Sequence, residues 1–391
     1  MLRKLFNFVS SLKLTIILLA AAIVLVFAGT IAQVHLGINE VQERYFQSLF
    51  VWWPVGSQGL RVPLFPGGHL LGGVLLVNLI TAHLRKFRWT WRKVGIHLTH
   101  TGLIIMLAGG LFTDLFSTES SMRLGPGEAK NYSEDMRRME LAVIDESDKD
   151  LDQVTAIPVA RLRRGGTIEH GSLPFRIIVR HFYENSRLKI IDRPQAGTPA
   201  ATEGAGTRIA VTPLERETSE NASNAVSAVI EIEPLPTAGE ATTAPLGTWL
   251  VSDELSAPQT FSFAGKSWRI ELRPARYYTK YTLTLQKFTH EKYAGTDIAK
   301  NYASRVTLID PERSENRDVL IYMNHPLRYR GETYYQAGFE KGDTATILQT
   351  VHNPTFVAPY VACVVVGAGL LVQFAFQFGG FSQRRKAALA T

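Results

Sequence analysis

Cysteine is almost absent from this chain. Its 391 residues include one cysteine, Cys363. An intrachain disulfide is therefore impossible, and the sequence has neither a Cys-x-x-Cys redox pair nor a Cys-x-x-Cys-His haem attachment site. These absences exclude a thiol–disulfide enzyme and a c-type cytochrome. The sequence also lacks a glycine-rich phosphate loop and a local signature of a catalytic triad.

Acidic residues are missing from three short segments that are rich in lysine and arginine: 1–13, 83–93 and 379–391. These segments hold eleven basic residues, so the rest of the chain carries −4 of the total net charge of +7. Basic segments beside apolar runs are typical of the cytoplasmic side of a membrane protein. The charge therefore indicates membrane topology and gives no support for binding nucleic acid.

Four apolar runs predict membrane-spanning helices, at Leu14–Ile31, Leu70–Ala82, Val94–Phe112 and Phe356–Phe378. About 20 apolar residues cross a bilayer, and the second run is short of that length. The first run is longer than the roughly 7–15 apolar residues of a signal peptide, so we interpret it as a retained anchor. With the basic segments inside, both termini are expected in the cytoplasm.

The runs divide the chain into three predicted parts. Residues 1–112 hold three transmembrane helices and an aromatic external loop at 33–67, and residues 355–391 hold the fourth helix and a basic cytoplasmic tail. Residues 113–354 form an extracytoplasmic β-rich domain, because apolar residues alternate in several short stretches between turn residues. The predicted fold class is an α+β membrane protein with an antiparallel, sandwich-like domain. A partly open barrel is the alternative.

Histidines on the third predicted helix are the best candidates for a functional site. His97 and His100 are three residues apart and therefore share one helix face. His83, at the inner end of the second helix, is expected near them. Ionisable side chains inside a membrane are costly and usually functional, and imidazole is a common axial ligand of haem iron. The alternative is structural, since histidines also hydrogen-bond across membrane helices.

Several short motifs resemble those of the ResB-type cytochrome c biogenesis proteins of the System II pathway. The third helix carries His100-Thr101-Gly102-Leu103, and the β domain carries Lys300-Asn301-Tyr302-Ala303-Ser304. A tyrosine-rich segment from Asn324 to Gln336 and the pair Asn353-Pro354 before the last helix also match. The order of helices and β domain is similar as well, so the resemblance extends over essentially the whole chain.

This resemblance implies a membrane subunit that helps haem b to move outward from the cytoplasmic side and to be attached to apocytochrome c. It implies transient haem binding, with His100 as the axial ligand and His97 and His83 as further candidates. The partner would be a tryptophan-rich haem-handling membrane protein of the ResC/CcsA type, because Trp52-Trp53-Pro54 does not match that motif. The expected location is the bacterial inner membrane, and the chain alone would be a non-catalytic or partial subunit of a cytochrome c synthase.

Two other functions stay open at this point. One is a haem-free scaffold that recruits cytochromes through its β domain, with structural histidines in the membrane. The other alternative is a b-type electron-transfer subunit, which normally needs paired histidines on facing helices.

Overall fold

The computed structural model describes residues 2–389 apart from 56–59, 88, 150, 192–200, 218–223, 236–243, 296–298, 341 and 343. The chain forms two compact units. One holds the long helices, in residues 1–118 and 353–391, and the other holds residues 119–217 and 222–352, which are mostly β. The division into domains that we predict from sequence stays a prediction.

The helical unit begins with α1 (Leu2–Val9), α2 (Leu12–Leu36) and α3 (Ile38–Val41), followed by a π-helical turn at Gln42–Phe46. After a hairpin come α4 (Gly68–Lys86), a 3-10 turn at Trp91–Lys93 and α5 (Val94–Phe116). The unit ends with α7 (Ala358–Leu389), whereas the short α6 (Val159–Arg163) belongs to the β-rich unit. Within the helical unit, α4 packs against α2 and α5, and α5 packs against α7.

Three helices in the described residues are long and apolar enough to cross a membrane, at Leu12–Leu36, Trp91–Phe116 and Ala358–Ser382. They contain the predicted spans Leu14–Ile31 and Val94–Phe112 and most of Phe356–Phe378, which begins two residues before α7. The remaining predicted span, Leu70–Ala82, lies in α4. This helix has 19 residues, but it is not among the helices that are long and apolar enough to cross a membrane. Its apolar sequence is interrupted by Asn78, Thr81 and His83. These polar residues lower the hydropathy of α4 relative to the other three helices.

The aromatic loop at 33–67 contains a β-hairpin formed by β1 (Phe50–Val55) and β2 (Leu60–Pro66). Trp52 and Trp53 are more than half exposed, at 53% and 54%, whereas Val51 is buried against the helices at 5%. The strand therefore places one small apolar residue inward and leaves its large aromatic rings accessible.

Glycines at Gly95, Gly102 and Gly109 form the contact between α5 and α7. A β-carbon added at Gly102 would lie 2.5 Å from Cγ2 of Val366, and one added at Gly95 would lie 2.6 Å from the carbonyl oxygen of Gly369. The spacing of seven residues keeps the three glycines on one face of α5. Small residues there let the two backbones approach closely, as is common in membrane helix pairs.

The β-rich unit contains strands β3 (Thr118–Leu124), β4 (Ala129–Asp145), β5 (Gln153–Pro158), β6 (Gly166–Ile168), β7 (Phe175–Tyr183), β8 (Ser186–Ile190), β9 (Ile209–Pro213), β10 (Ser227–Pro234), β11 (Thr248–Ser252), β12 (Gln259–Phe263), β13 (Lys266–Lys292), β14 (Ala299–Asp310), β15 (Glu315–Tyr322), β16 (Leu327–Tyr329), β17 (Glu332–Phe339) and β18 (Thr346–His352). Strand pairs throughout this unit are antiparallel, among them β4 with β13, β13 with β14 and β7 with β10. The predicted antiparallel β-rich region is thus confirmed.

Two apolar cores organise this unit. In the first, the sheet β11-β10-β7-β6 faces β4, β5 and the first part of β13 across residues such as Phe175, Ile230 and Trp268. In the second, the large sheet β15-β14-β13-β4-β3-β18-β17-β16 curls so that β15 contacts β16 and β17. Leu283, Val306 and Tyr334 fill that second core. Sandwich-like packing and barrel-like curvature therefore coexist, because the 27-residue β13 extends through both regions.

The tyrosine-rich segment forms a hairpin of β16 and β17 around Gly331, whose φ of 88° requires the left-handed region. Tyr334 is fully buried, and its hydroxyl lies 2.8 Å from that of Tyr281. The hydroxyl of Tyr329 donates to Asp310 at 2.7 Å. The hydroxyls of Tyr329 and Tyr334 therefore stabilise the second core.

Substituting Gly102 with alanine is expected to destabilise the helical unit. The added β-carbon would lie 2.9 Å from the carbonyl oxygen of Ala362, besides the contact with Val366. Overpacking of this kind costs about 1–3 kcal/mol. Thermal unfolding of the full chain in detergent should show a lower midpoint. Gly110→Ala is the control, because a β-carbon there meets no described atom within 4 Å; equal midpoints for both variants would contradict the packing.

Asp310 should make the β-rich unit sensitive to acid. Burial raises the pKa of Asp310, but hydrogen bonds from Tyr329 and the Arg313 N–H, with the charge of Arg330, hold the pKa below its usual value. A lowered pKa in the folded state stabilises the fold above the unfolded value of about 4, and this contribution is lost below it. The stability difference between wild type and Asp310→Asn should therefore be largest at neutral pH and shrink below about pH 4. Asp318→Asn, at an exposed position on β15, is the control; a difference independent of pH would refute this role.

Candidate functional site

Three imidazoles from two packed helices come together in the helical unit. His83 lies on α4, and His97 and His100 lie on α5. The ring centre of His83 is 5.2 Å from that of His97 and 5.7 Å from that of His100. The structure thus brings together the three residues that we single out from sequence, on the face of α5 away from the glycines.

His100 has a defined orientation. Its Nδ1 atom lies 2.8 Å from the carbonyl oxygen of Ile96, one turn earlier in α5. A carbonyl oxygen only accepts hydrogen bonds, so Nδ1 carries the proton, and in the neutral ring Nε2 carries the lone pair. Histidines that bind metals typically donate their second ring N–H to a backbone carbonyl or carboxylate in this way. The ring of His100 is therefore oriented as a potential iron ligand.

Aromatic rings surround His97. The ring of Phe87 is 4.6 Å from it between centres, and the indole of Trp89 stacks at 6.4 Å with an interplanar angle of 5°. Phe87 also meets His83 edge-on at 5.9 Å. The segment after α4 therefore covers His97, and the arrangement resembles the wall of a pocket for a flat ligand.

A cavity of about 660 Å³ adjoins the imidazoles, and we call it the histidine cavity. It is lined mainly by apolar side chains, with His83, His97, His100 and Lys93 among its polar groups. Its volume lies in the range of pockets for small molecules, roughly 300–1,000 Å³. An apolar slot with an imidazole nitrogen is what haem needs from a protein, so the residues fit this group.

The basic residues near the site differ in position. Lys93 lines the cavity, whereas the guanidinium of Arg85 donates to Ser10 at 2.9 Å and Arg92 is exposed. The side chain of Lys86 and all of Arg88 lie outside the described residues. Of the basic residues between the second and third predicted helices, Lys93 is the best placed to meet a propionate.

Gly95, Gly102 and Gly109 of α5 contact α7, so they allow the close approach of another helix and do not line the histidine cavity. Gly110 is different, since an added β-carbon would meet no described atom within 4 Å. Sequence alone did not reveal the difference, because all four glycines lie in the same apolar run.

Asn78 is a polar residue of this region that sequence reasoning missed. Its side chain is almost fully buried, at 1% exposure, and its amide donates to the carbonyl oxygens of Val9 and Ser11 at 2.5 and 3.2 Å. Its oxygen accepts a hydrogen bond from Thr15 at 2.7 Å. One side chain thus connects α4 to the junction of α1 and α2. An amide inside an apolar run was the available signal.

The other histidines near helix ends have different surroundings. His35 is exposed at the end of α2, and Nδ1 of His352 lies 3.1 Å from Glu332 in the β-rich unit. His69, at the start of α4, forms a short contact with the carboxylate of Asp114 at the end of α5. Within the described residues, no group of three or more His, Cys, Asp or Glu side chains is arranged to hold a metal ion.

These features define a class: a protein with membrane-type helices, a histidine-lined cavity between two of them, and a large antiparallel β-rich unit. Residues 247–353, from β11 to the end of β18, match the family model of the ResB-like family. The resemblance to the ResB-like family is therefore confirmed over this range. The residues that line the histidine cavity lie outside the range that matches the family model.

A curated relative gives a second comparison. Protein NrfI of Wolinella succinogenes is 29% identical over 91 residues, which is 23% of this chain and 10% of that protein. The match therefore covers about a tenth of the relative's length. The similarity supports the family and leaves the activity of the whole protein to be tested.

Substituting Asn78 with leucine should destabilise the helical unit around the cavity. The change removes the partner of Thr15 and leaves the carbonyl of Val9 without its amide donor. Losing the partner of a buried polar group costs about 1–3 kcal/mol. Thermal unfolding in detergent would measure the loss. Thr81→Ala is the control, since the Thr81 hydroxyl donates to the carbonyl oxygens of Val77 and Asn78 in its own helix; an equal effect of both variants would argue against the connection by Asn78.

Proposed function

We propose that this chain is a membrane subunit of the System II cytochrome c maturation machinery that binds haem in the histidine cavity. The family match and the similarity to NrfI support a role in cytochrome c biogenesis. The observation that carries the haem assignment is the orientation of His100, with Nδ1 donating to Ile96 and Nε2 available for iron.

The proposal places four helices in the bacterial inner membrane, with α4 as the fourth span between two apolar neighbours. Its 19 residues extend over about 28 Å, close to the hydrocarbon thickness of a bilayer. Both termini and the basic segment 83–93 would then lie in the cytoplasm. The histidine cavity would open near the cytoplasmic side, where newly made haem is supplied, and the β-rich unit would lie outside.

Within the cavity the three histidines have different roles. His100 would coordinate the iron, Lys93 would meet a propionate, and the ring of His97, against which Phe87 packs, would form one wall. The rings of His83 and His100 stack with an interplanar angle of 23°, so they present faces to each other. Paired axial ligands instead direct ring nitrogens at one iron between them. This geometry favours a single axial ligand from this chain over a b-type electron-transfer subunit.

A second ligand would then come from a partner chain. We infer that the partner is a tryptophan-rich haem-handling membrane protein of the ResC/CcsA type, which would also carry the residues that attach haem to apocytochrome c. Several lining residues of the histidine cavity support an open side facing such a partner: Ile96 is 42% exposed and Leu103 is 41% exposed. In this reading the chain is a partial subunit of a cytochrome c synthase.

His100→Ala should remove most of the haem bound by this subunit. The full chain is purified with and without its partner, and the Soret absorbance and the pyridine haemochrome spectrum give the b-type haem content. His97→Ala should reduce haem less, since that side chain forms a wall. His35→Ala is the matched control because His35 is exposed at the end of α2.

Unchanged haem content and cytochrome c maturation in His100→Ala would disprove the ligand assignment. A wild-type protein that captures an apocytochrome c partner but never contains haem would support the scaffold alternative instead. A permanently bound haem with a reversible redox midpoint would support electron transfer.

A further inference from the structure

A second cavity, of about 470 Å³, lies between α4 and α5 beside His69, and we call it the His69 cavity. Its walls include Gly72, Gly73 and Gly110, where an added β-carbon would meet no described atom within 4 Å. Unlike the glycines that contact α7, these leave open space between two helices. The missing side chains of these glycines, on both helices, therefore leave room for the cavity.

The polar end of this cavity is organised by one carboxylate. Oδ2 of Asp114 makes a short contact with Nε2 of His69, and Oδ1 accepts a hydrogen bond from the amide of Gln47 at 2.8 Å. An ionised carboxylate only accepts, so Nε2 of His69 carries a proton, and in the neutral ring Nδ1 carries the lone pair. A carboxylate behind a histidine is a common arrangement at metal sites, where it fixes the ring and raises its basicity.

The two cavities adjoin each other along the helices. Met106 and Leu107 line both of them. On α4, His69 and His83 are 14 residues apart, and on α5, Asp114 and His100 are also 14 residues apart. At 1.5 Å per residue this spacing is about 21 Å, and it returns each pair to nearly the same helix face. The two adjoining cavities form an apolar groove between α4 and α5, with one imidazole at its outer end and three at its inner end.

We propose that His69 is the axial ligand of a separate haem position at the outer end of this groove, and that Asp114 is its positioning residue. The inference rests on the proposed function, since it assumes that haem enters at His100. Iron would leave Nε2 of His100 and be bound by Nδ1 of His69, with the porphyrin in contact with apolar residues between the two positions. The exchange replaces one neutral nitrogen donor by another, so it needs no oxidant, reductant or proton.

Haem fits the His69 cavity better than a bare cation. The polar part of its lining consists of His69, Asp114, Gln42 and Gln47, and the other walls are apolar. Within the described residues no three His, Cys, Asp or Glu side chains converge there, whereas a divalent cation needs several such donors. The side chains of His69 and Asp114 are 28% and 29% exposed, so an incoming ligand can reach them. A porphyrin also matches the long apolar walls of α4 and α5.

The test uses the full chain in lipid nanodiscs, titrated with haemin and then reduced. Wild type, His69→Ala, His100→Ala, the double variant and the control His35→Ala are compared by haem stoichiometry and by resonance Raman spectra of the iron–histidine bond. We expect two haem populations in wild type, one lost in His69→Ala and the other in His100→Ala. Asp114→Asn should weaken the His69 population about 10–100-fold without abolishing it.

The outcomes separate the two proposals. If His100→Ala loses a population and His69→Ala matches wild type, the outer ligand is refuted and the proposed function stands. If only His69→Ala loses haem, the His69 assignment stands and His100 is not the ligand. Haem binding unchanged in both variants, or absent from wild type, overturns both.

A folding defect is distinguished by chemical rescue. Added imidazole should restore the lost spectrum in His69→Gly if the cavity is intact and the missing group is an axial ligand. A His69→Gly protein with wild-type thermal stability that regains no haem with imidazole would count against ligation. Asp114→Glu keeps the carboxylate and should recover part of the affinity that Asp114→Asn loses; identical affinities of these two variants would refute the positioning role.

Discussion

The contact between α5 and α7 is the constraint on which the helical unit depends. Three glycines on one face of α5 let the two backbones approach, and this fixes the rotation of α5 about its axis. Because the helix cannot rotate, its opposite face presents His97 and His100 to α4 at a set depth. Packing on one side of α5 therefore determines the position of the imidazoles on the other side.

Apolar periodicity and length revealed much of the fold. The runs that become α2, α5 and α7 are long enough to be recognised without tertiary information, and the alternating stretches of the β-rich region all fall in strands or overlap them. The weak prediction was Leu70–Ala82, where Asn78 lowers the hydropathy. That residue is polar because it hydrogen-bonds the backbone of another helix, a tertiary fact that sequence periodicity does not contain.

The candidate site was only partly visible in the sequence. The spacing of His97 and His100 predicted a shared helix face, and His83 lies against them as expected. The hydrogen bond from His100 to Ile96 distinguishes it from its neighbours, yet it depends on a side-chain rotation that no spacing rule gives. Likewise, His69 and Asp114 are far apart along the chain, so only the packing of α4 on α5 reveals their contact. The tyrosine-rich motif is the opposite case. It is recognisable in the sequence, but its buried hydroxyls stabilise the second core of the β-rich unit.

The groove between α4 and α5 is open along one side. Ile96, Leu103 and Met106 line it and yet remain 37–42% exposed. A channel encloses its ligand and can select it by size and shape. A groove that is open along its length cannot select a ligand in this way. Lipid tails will compete for the same surface whenever no other protein covers it. Binding of a ligand in the groove would then depend on binding of a second chain. The ligand would stay in the groove long enough to be passed on only while that chain covers the open side.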